Sequence, residues 1–165
     1  MDYFIADTHF GHRNIINFEP EHRAFSSIEE HDEQLVNNWN SVVGKKDNVY
    51  LLGDVAFNSK HSIIHRLMGN ITIVLGNHDY SKKIHDLLEC DRVKVCGIKE
   101  YANGLLTHMP VHESQLVSRY KFNIHGHLHS KSLNDPRYIS VSCEHVELTP
   151  ISWKELVHRH SILTK

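Results

Sequence analysis

The sequence predicts an α/β fold in which two packed mixed β-sheets are flanked by helices. In the first half, short apolar runs alternate with stretches of helical periodicity, which is the pattern of strands linked by crossover helices. In the second half, short strand-like runs follow one another and include the hairpin signal Asn103-Gly104. We therefore expect a sheet that begins parallel, with right-handed crossovers, and a second sheet built from the later strands.

The first strands are predicted at residues 3–6, 48–53 and 71–76, three short apolar runs that each end in glycine or polar residues. The stretch between the first two predicts a long amphipathic helix. Ser27 and Glu30 have the spacing of a capping box, and apolar residues then recur at helical spacing.

Shorter helices are predicted at residues 59–68 and 81–88, where apolar residues again have helical spacing. A last helix is predicted after Pro150, because Ser152 and Glu155 repeat the capping-box spacing. The strands of the second half are predicted at residues 93–95, 97–101, 105–108, 122–125 and 138–142.

Length and charge limit the class of protein. The chain has 165 residues without a repeat or a linker, so we expect a single domain over residues 1–165. The 18 Lys and Arg residues against 20 Asp and Glu give a net charge of −2, which argues against a general nucleic-acid binder. Histidine is unusually frequent, with 16 residues, and it is the commonest metal ligand and the usual acid or base near neutral pH. Composition therefore indicates metal or proton chemistry.

Cysteine usage and the N-terminus predict the compartment. The three cysteines form no Cys-x-x-Cys pair, which argues against a disulfide framework and against a cysteine zinc site. The first residues have no basic and apolar leader segment, and no apolar run reaches 18 residues. We expect a cytoplasmic protein that does not span a membrane.

Side chains suited to metal binding follow the predicted strands at their carboxyl ends, where open α/β sheets place ligand sites. The candidates are Asp7, His9, Asp54, Asn77, His108, His127 and His129. The first two and the last two are spaced two residues apart, so on an extended chain each pair would point the same way. Oxygen and imidazole donors without thiolate suit Mn²⁺, Fe, Zn²⁺ or Co²⁺. Seven ligands suit two ions with a bridging carboxylate, the arrangement that clamps the attacking and leaving oxygens of a phosphoryl displacement.

The order of these residues resembles the calcineurin-like metallophosphoesterase superfamily. Its pattern D-x-H, G-D, G-N-H-[DE], H and G-H-x-H is present, in order, between residues 7 and 129. The second motif lacks the longer form G-D-x-x-D-R-G of the Ser/Thr phosphatase branch, so the small, cap-free bacterial and viral members match better. The resemblance implies a four-layer α-β-β-α sandwich.

The resemblance also implies a centre of two divalent ions, Mn²⁺ first, with Fe, Zn, Ni or Co as alternatives. The implied ligands of the first ion are Asp7, His9 and His129. Those of the second are Asn77, His108 and His127. Asp54 would bridge the two ions, and a water or hydroxide shared between them would be the nucleophile. His78 would be the general acid that protonates the leaving alkoxide, and Asp79 would orient its neighbours.

Three residues directly after the first motif, His12, Arg13 and Asn14, border the same mouth and are predicted to bind substrate. The Arg13 guanidinium could form a bidentate pair of hydrogen bonds with a phosphate. The alternative is that Asn14 only caps a short helix over residues 15–18.

The expected function is hydrolysis of a small phosphoester, with nucleotide-type phosphodiesters preferred over monoesters because a diester gains more from an acid such as His78. Two alternatives stay open, a catalytically silent protein-binding scaffold of the same fold and a metal-dependent nuclease. The intact ligand positions argue against the scaffold, and the net charge argues against an enzyme for long polymers.

Overall fold

Two mixed β-sheets lie face to face at the centre of the molecule, which we describe from a computed structural model for residues 1–58, 60–79 and 90–164. The strands of the first sheet are β1 (Asp2–Ile5), β2 (Asn48–Leu51), β3 (Asn70–Val74), β4 (Val93–Cys96) and β9 (Ile151–Ser152). Their order is β4-β3-β2-β1-β9, and the first four are parallel while β9 is antiparallel to β1. The predicted parallel start of this sheet is confirmed.

The second sheet has four strands in chain order. They are β5 (Lys99–Tyr101), β6 (Gly104–Leu106), β7 (Phe122–His125) and β8 (Tyr138–Ser140). The first pair forms the predicted hairpin through Ala102 and Asn103, and the remaining pairs are parallel. A parallel bridge between Ala6 and Ser142 joins this sheet to the end of β1.

The helices are α1 (Ile15–Phe18), α2 (Ile28–Val42) and α3 (Trp153–Arg159), with 3₁₀ helices at Lys60–Arg66, Glu113–Leu116 and Ser161–Thr164. Both predicted caps are present, since the Ser27 and Ser152 hydroxyls accept from the amides three residues later. The helix predicted at residues 59–68 is a 3₁₀ helix, because this short stretch is rich in Ile, Ser and His, which have modest helix propensity. The helix predicted at residues 81–88 lies outside the described residues. Within the described ranges, no helix is both long and apolar enough to cross a bilayer.

Aromatic side chains fill part of the space between the sheets. The Phe4 ring stacks on Tyr50 at 5.2 Å and meets the edge of Tyr101 at 5.1 Å, and Tyr101 in turn contacts Trp153 at 5.0 Å. These contacts join β1 and β2 to β5 and α3, and they stabilise the packing of the two sheets against each other. The relative position of the two sheets sets the geometry of the edge where their strands end.

His125 at the end of β7 packs in the interior. It is 1% exposed, and its Nδ1 donates to the Gly126 carbonyl at 2.8 Å. Burial lowers the pKa of His125 from 6.5 to about 4. The folded protein therefore keeps this imidazole neutral at pH values where the unfolded chain takes up a proton.

We expect His125 to make the protein less stable as the pH falls from 6.5 to 4. Because the unfolded state binds the proton first over this range, the free energy of unfolding should fall by about 3 kcal/mol on its account. The loss is absent above pH 6.5 and complete below pH 4. Urea unfolding of the wild type and His125→Leu at several pH values measures it, and a wild type whose pH dependence equals that of the variant would contradict it.

Candidate metal centre

The predicted ligands come together at one edge of the two sheets, where β1, β2, β3, β6 and β7 end. These strands run parallel within their sheets, and the bridge after β1 aligns the sheets with each other, so their carboxyl ends lie on the same side. The side chains at this edge are Asp7, His9, Asp54, Asn77, His78, Asp79, His108, His127 and His129.

Five of these residues have a left-handed backbone. The φ angles are 57° at Asp7, 50° at His9, 52° at Asp54, 69° at His127 and 51° at His129. The expectation that the two spaced pairs lie on extended chain is therefore wrong, because the strands end before these residues and the chain turns sharply. This backbone costs roughly 1–3 kcal/mol at each non-glycine residue, and such strain concentrates at functional sites.

Close backbone contacts hold these turns in place. The Asp7 amide donates to the Gly53 carbonyl at 3.1 Å, and the His127 amide donates to the Asp7 carboxylate at 2.9 Å. Gly53 has a φ of +82°, and a Cβ at this position would lie 2.6 Å from Nδ1 of His108. Glycine is therefore required where the β2 loop meets the imidazole.

Asp54 lies at the centre of the cluster. Its Oδ2 is 3.6 Å from Nε2 of His9 and 3.5 Å from Nε2 of His108. All three residues are buried. Two donors that bind one cation at about 2.1 Å are about 3.0–3.4 Å apart, which is close to these separations. The carboxylate is thus placed to share a cation with either imidazole.

Two imidazole nitrogen atoms of the cluster are placed to bind a cation. Nε2 of His9 is buried without a hydrogen-bond partner, while its Nδ1 lies 2.9 Å from Nδ1 of His12. Nδ1 of His108 donates to the Leu52 carbonyl at 2.8 Å, which leaves a lone pair on Nε2 of the neutral ring. That Nε2 lies 3.0 Å from Oδ1 of Asn77. Electron-rich atoms that face one another in this way fit a divalent metal ion.

Three groups among the described residues have ligand atoms within 4.8 Å of one another and could hold a metal ion. They are Asp7/His9/His129, Asp7/Asp54/His108 and Glu19/His129/Glu144. The first two contain five of the seven predicted ligands. The ring of His127 lies 5.1 Å from that of His108, so it borders the second group.

Burial shifts the pKa values of three residues of the cluster. Desolvation raises the pKa of Asp7 to about 6, although neighbouring His108 and His129 oppose the shift. Desolvation also lowers the pKa of His9 and of His127. Imidazoles that stay neutral at pH 7 keep the lone pair that metal binding requires.

His78 lies at the mouth of the cluster and is half-buried. Its backbone amide donates to Oδ1 of Asp54 at 2.9 Å, which ties the turn after β3 to the central carboxylate. Its ring is 5.1 Å from Phe57 and 6.3 Å from His9. The backbone of His78 therefore binds the central carboxylate, and its imidazole ring lies next to the cluster.

Asp79 binds the backbone around the central carboxylate. Its Oδ2 accepts from the amides of Asp54 and Gly76, both at 2.8 Å, and its Oδ1 accepts from Val55 at 3.0 Å. One carboxylate thus joins the loops after β2 and β3. The resemblance implies an orienting role of this kind for Asp79, and that role stays a prediction.

The predicted substrate segment adjoins the cluster. His12 contacts His9 through the nitrogen pair described above and stacks on Phe57, with ring centroids 4.2 Å apart. Arg13 and Asn14 are exposed. Asn14 occupies the N-cap position of α1, but its side chain makes no capping hydrogen bond. Helix capping therefore does not explain an asparagine at this position.

Sequence reasoning missed a buried ionic network behind the cluster. Arg23 is completely buried, and Nε and Nη2 both lie 2.7 Å from Oε1 of Glu144. The same Oε1 lies 3.2 Å from Nδ1 of His129. Although burial opposes ionisation, the contacts with His129 and Arg23 lower the pKa of Glu144 to about 2. A lone Arg in a polar stretch has no sequence signal for burial, and its partner lies 121 residues away.

Comparison with known proteins shows where the chain belongs. It is 33% identical over 162 residues to the uncharacterized protein MJ1445 of Methanocaldococcus jannaschii, which covers 91% of this chain and 85% of that protein. The chain belongs to the MJ1445 family. The gene 66 protein of Mycobacterium phage L5 is 30% identical over 194 residues, and this alignment covers 97% of this chain and 91% of the phage protein. A comparison with protein-family models finds no match.

Two solved structures resemble the fold. The protein of unknown function AQ665 from Aquifex aeolicus superposes with a TM-score of 0.74 and 29% identity, over 96% of this chain and 98% of that one. The sandwich of this MJ1445-family chain is therefore matched over nearly its whole length. An archaeal phosphodiesterase superposes with a TM-score of 0.49 and 18% identity, over 86% of this chain and 81% of that one.

Proposed function

We propose that this protein is a metal-dependent phosphoesterase of the calcineurin-like type, with two divalent ions and a preference for nucleotide-type phosphodiesters. One observation carries the proposal: Oδ2 of Asp54 lies within 3.6 Å of two buried imidazoles, one of which has no hydrogen-bond partner at Nε2. Such a set of oxygen and imidazole donors suits divalent cations. The whole chain, residues 1–165, would act as one domain in the cytoplasm, and its three cysteines are free.

Each ion would have three ligands of its own, and one carboxylate would be shared between the two ions. Asp7, His9 and His129 would hold the first ion, in agreement with one of the clusters above. Asn77, His108 and His127 would hold the second. Asp54 would bridge them. When bound, two divalent ions, Mn²⁺ first, lower the pKa of water and stabilise charge on a phosphoryl group.

His78 would supply the proton that the leaving group needs. Its ring lies beside the cluster and outside both of the ligand groups that surround Asp54, so it is available to the substrate. An imidazole is a suitable acid near neutral pH. Asp79 would keep the turn that carries His78 in contact with Asp54 through the backbone.

The segment of His12, Arg13 and Asn14 would bind the substrate. Replacing Arg13 with alanine should lower kcat/KM by about 10–100-fold, because an exposed guanidinium that pairs with a phosphate loses a charged hydrogen bond. Arg13→Lys should recover part of the loss, and the bound metal should be unchanged in both. Steady-state kinetics on a phosphodiester measure the effect, and an Arg13→Ala enzyme with wild-type kcat/KM would contradict it.

Hydrolysis of bis-p-nitrophenyl phosphate with added Mn²⁺ tests the proposed function. A panel of p-nitrophenyl phosphate, cyclic nucleotides and linear dinucleotides then ranks diesters against monoesters. We expect turnover of diesters that a chelator abolishes and Mn²⁺ restores. A lack of turnover with Mn²⁺, Fe²⁺, Zn²⁺, Ni²⁺ and Co²⁺ on every substrate would leave the scaffold as the better explanation.

A further inference from the structure

Arg23 lies behind the first ligand group, where it binds the backbone of Asp7 and Thr8 and the carboxylate of Glu144. Its Nη2 donates to the Asp7 carbonyl at 2.6 Å, and its Nη1 donates to the Thr8 carbonyl at 3.3 Å. Its Nη1 also lies 3.0 Å from Nε2 of His31. A single buried guanidinium therefore fixes the left-handed turn that presents Asp7 and His9.

Glu144 joins this guanidinium to the distant ligand His129. Arg23 donates to the same Oε1 that Nδ1 of His129 approaches at 3.2 Å, so this carboxylate oxygen can accept a hydrogen bond from Nδ1–H of the imidazole. A donated Nδ1–H fixes the tautomer and leaves the lone pair on Nε2, the atom available to a metal. Histidines that bind metals usually have a partner of this kind.

We propose that Arg23 and Glu144 are positioning residues for the first metal ion alone. They connect the turn of Asp7 and His9 to His129, which lies 120 residues further along the chain. In the described part of the chain, no hydrogen bond or ion pair links either residue to the ligands proposed for the second ion, Asn77, His108 and His127. The inference rests on the proposed metal centre.

The charge of Arg23 also decides what Glu144 does. Glu144, Glu19 and His129 lie near enough to hold a cation themselves. The guanidinium 2.7 Å from Oε1 of Glu144 neutralises this carboxylate and opposes a cation at the same place. Glu144 therefore serves His129 as a hydrogen-bond acceptor rather than as a ligand.

The test compares metal binding by the wild type, Glu144→Gln and Arg23→Lys, using equilibrium dialysis with Mn²⁺ and electron paramagnetic resonance of the bound ions. We expect the affinity for one of two ions to fall by about 10–100-fold, the usual effect of removing a partner of a ligand, while the other ion stays bound. The spectrum should change from that of a coupled pair to that of a single Mn²⁺. Arg66→Lys, which alters an exposed pair with Glu33, is the matched control.

A single substitution leaves one buried charge without its partner and could prevent folding. The double variant Arg23→Met/Glu144→Met removes both charges, and circular dichroism shows whether it folds. Selective loss of one ion from a folded variant supports the proposal. Unchanged affinity for both ions, an equal loss of both, or a third ion bound by the wild type would overturn it. A wild type that binds no metal would instead refute the proposed function on which the inference rests.

Discussion

Replacing Asp54 with alanine is expected to remove both metal ions and to lower turnover by more than about 10³-fold. The reason is geometric, because one carboxylate oxygen lies 3.6 Å from His9 Nε2 and 3.5 Å from His108 Nε2. Loss of the ions removes several kcal/mol of transition-state stabilisation. Metal analysis after dialysis and hydrolysis of a chromogenic diester measure the two effects.

The same substitution should reduce the thermal stability of the metal-loaded protein to that of the metal-free protein. Each ion present at 100 times its Kd stabilises the native state by about 2.7 kcal/mol, and the variant gains none of this. Asp91→Ala removes an exposed carboxylate and serves as the control, with metal content and melting temperature unchanged. An Asp54→Ala protein that keeps one ion at wild-type affinity would show that this carboxylate is not shared.

Replacing His78 with alanine is expected to leave both ions in place and to lower turnover by about 10²–10⁴-fold, the usual contribution of general acid–base catalysis. The backbone amide of this residue, which donates to Oδ1 of Asp54, survives the substitution. A leaving group that is already acidic needs little help from an acid. The loss should therefore be larger for a nucleotide diester than for a p-nitrophenyl diester.

His112→Ala is the matched control for His78, because this exposed histidine lies outside the cluster and its Nδ1 contacts the amide and the hydroxyl of Ser114. Its kinetics and metal content should equal those of the wild type. If metal content and turnover fall together in His78→Ala, the residue holds an ion and is not the acid. Equal losses for both classes of leaving group would also contradict the assigned role.

The sequence was sufficient to predict most strands and the edge of the sheets at which the candidate ligands lie. Parallel strands must end at the same edge, so Asp7, Asp54 and His108 could be located once their strands were recognised. Local chain geometry was not predictable in this way. The alternation of an extended chain suggested that Asp7 and His9 share a face, whereas sharp left-handed turns bring both into the cluster.

The support behind the ligands was not predictable at all. Arg23 follows polar and charged residues and precedes α2, and nothing in its neighbourhood in sequence indicates that it is buried. Its burial depends on Glu144 and on the carbonyls of Asp7 and Thr8, which only the folded chain brings to it. Pairwise contacts at such separations leave no periodic pattern in a single sequence.

Titration of the metal-free protein with Mn²⁺, with diester hydrolysis measured at each addition, tests the central claim most directly. The account predicts that two ions bind per chain and that turnover rises with occupation of the second. Binding of a single ion with full turnover, or of two ions with no turnover of any diester, would contradict it.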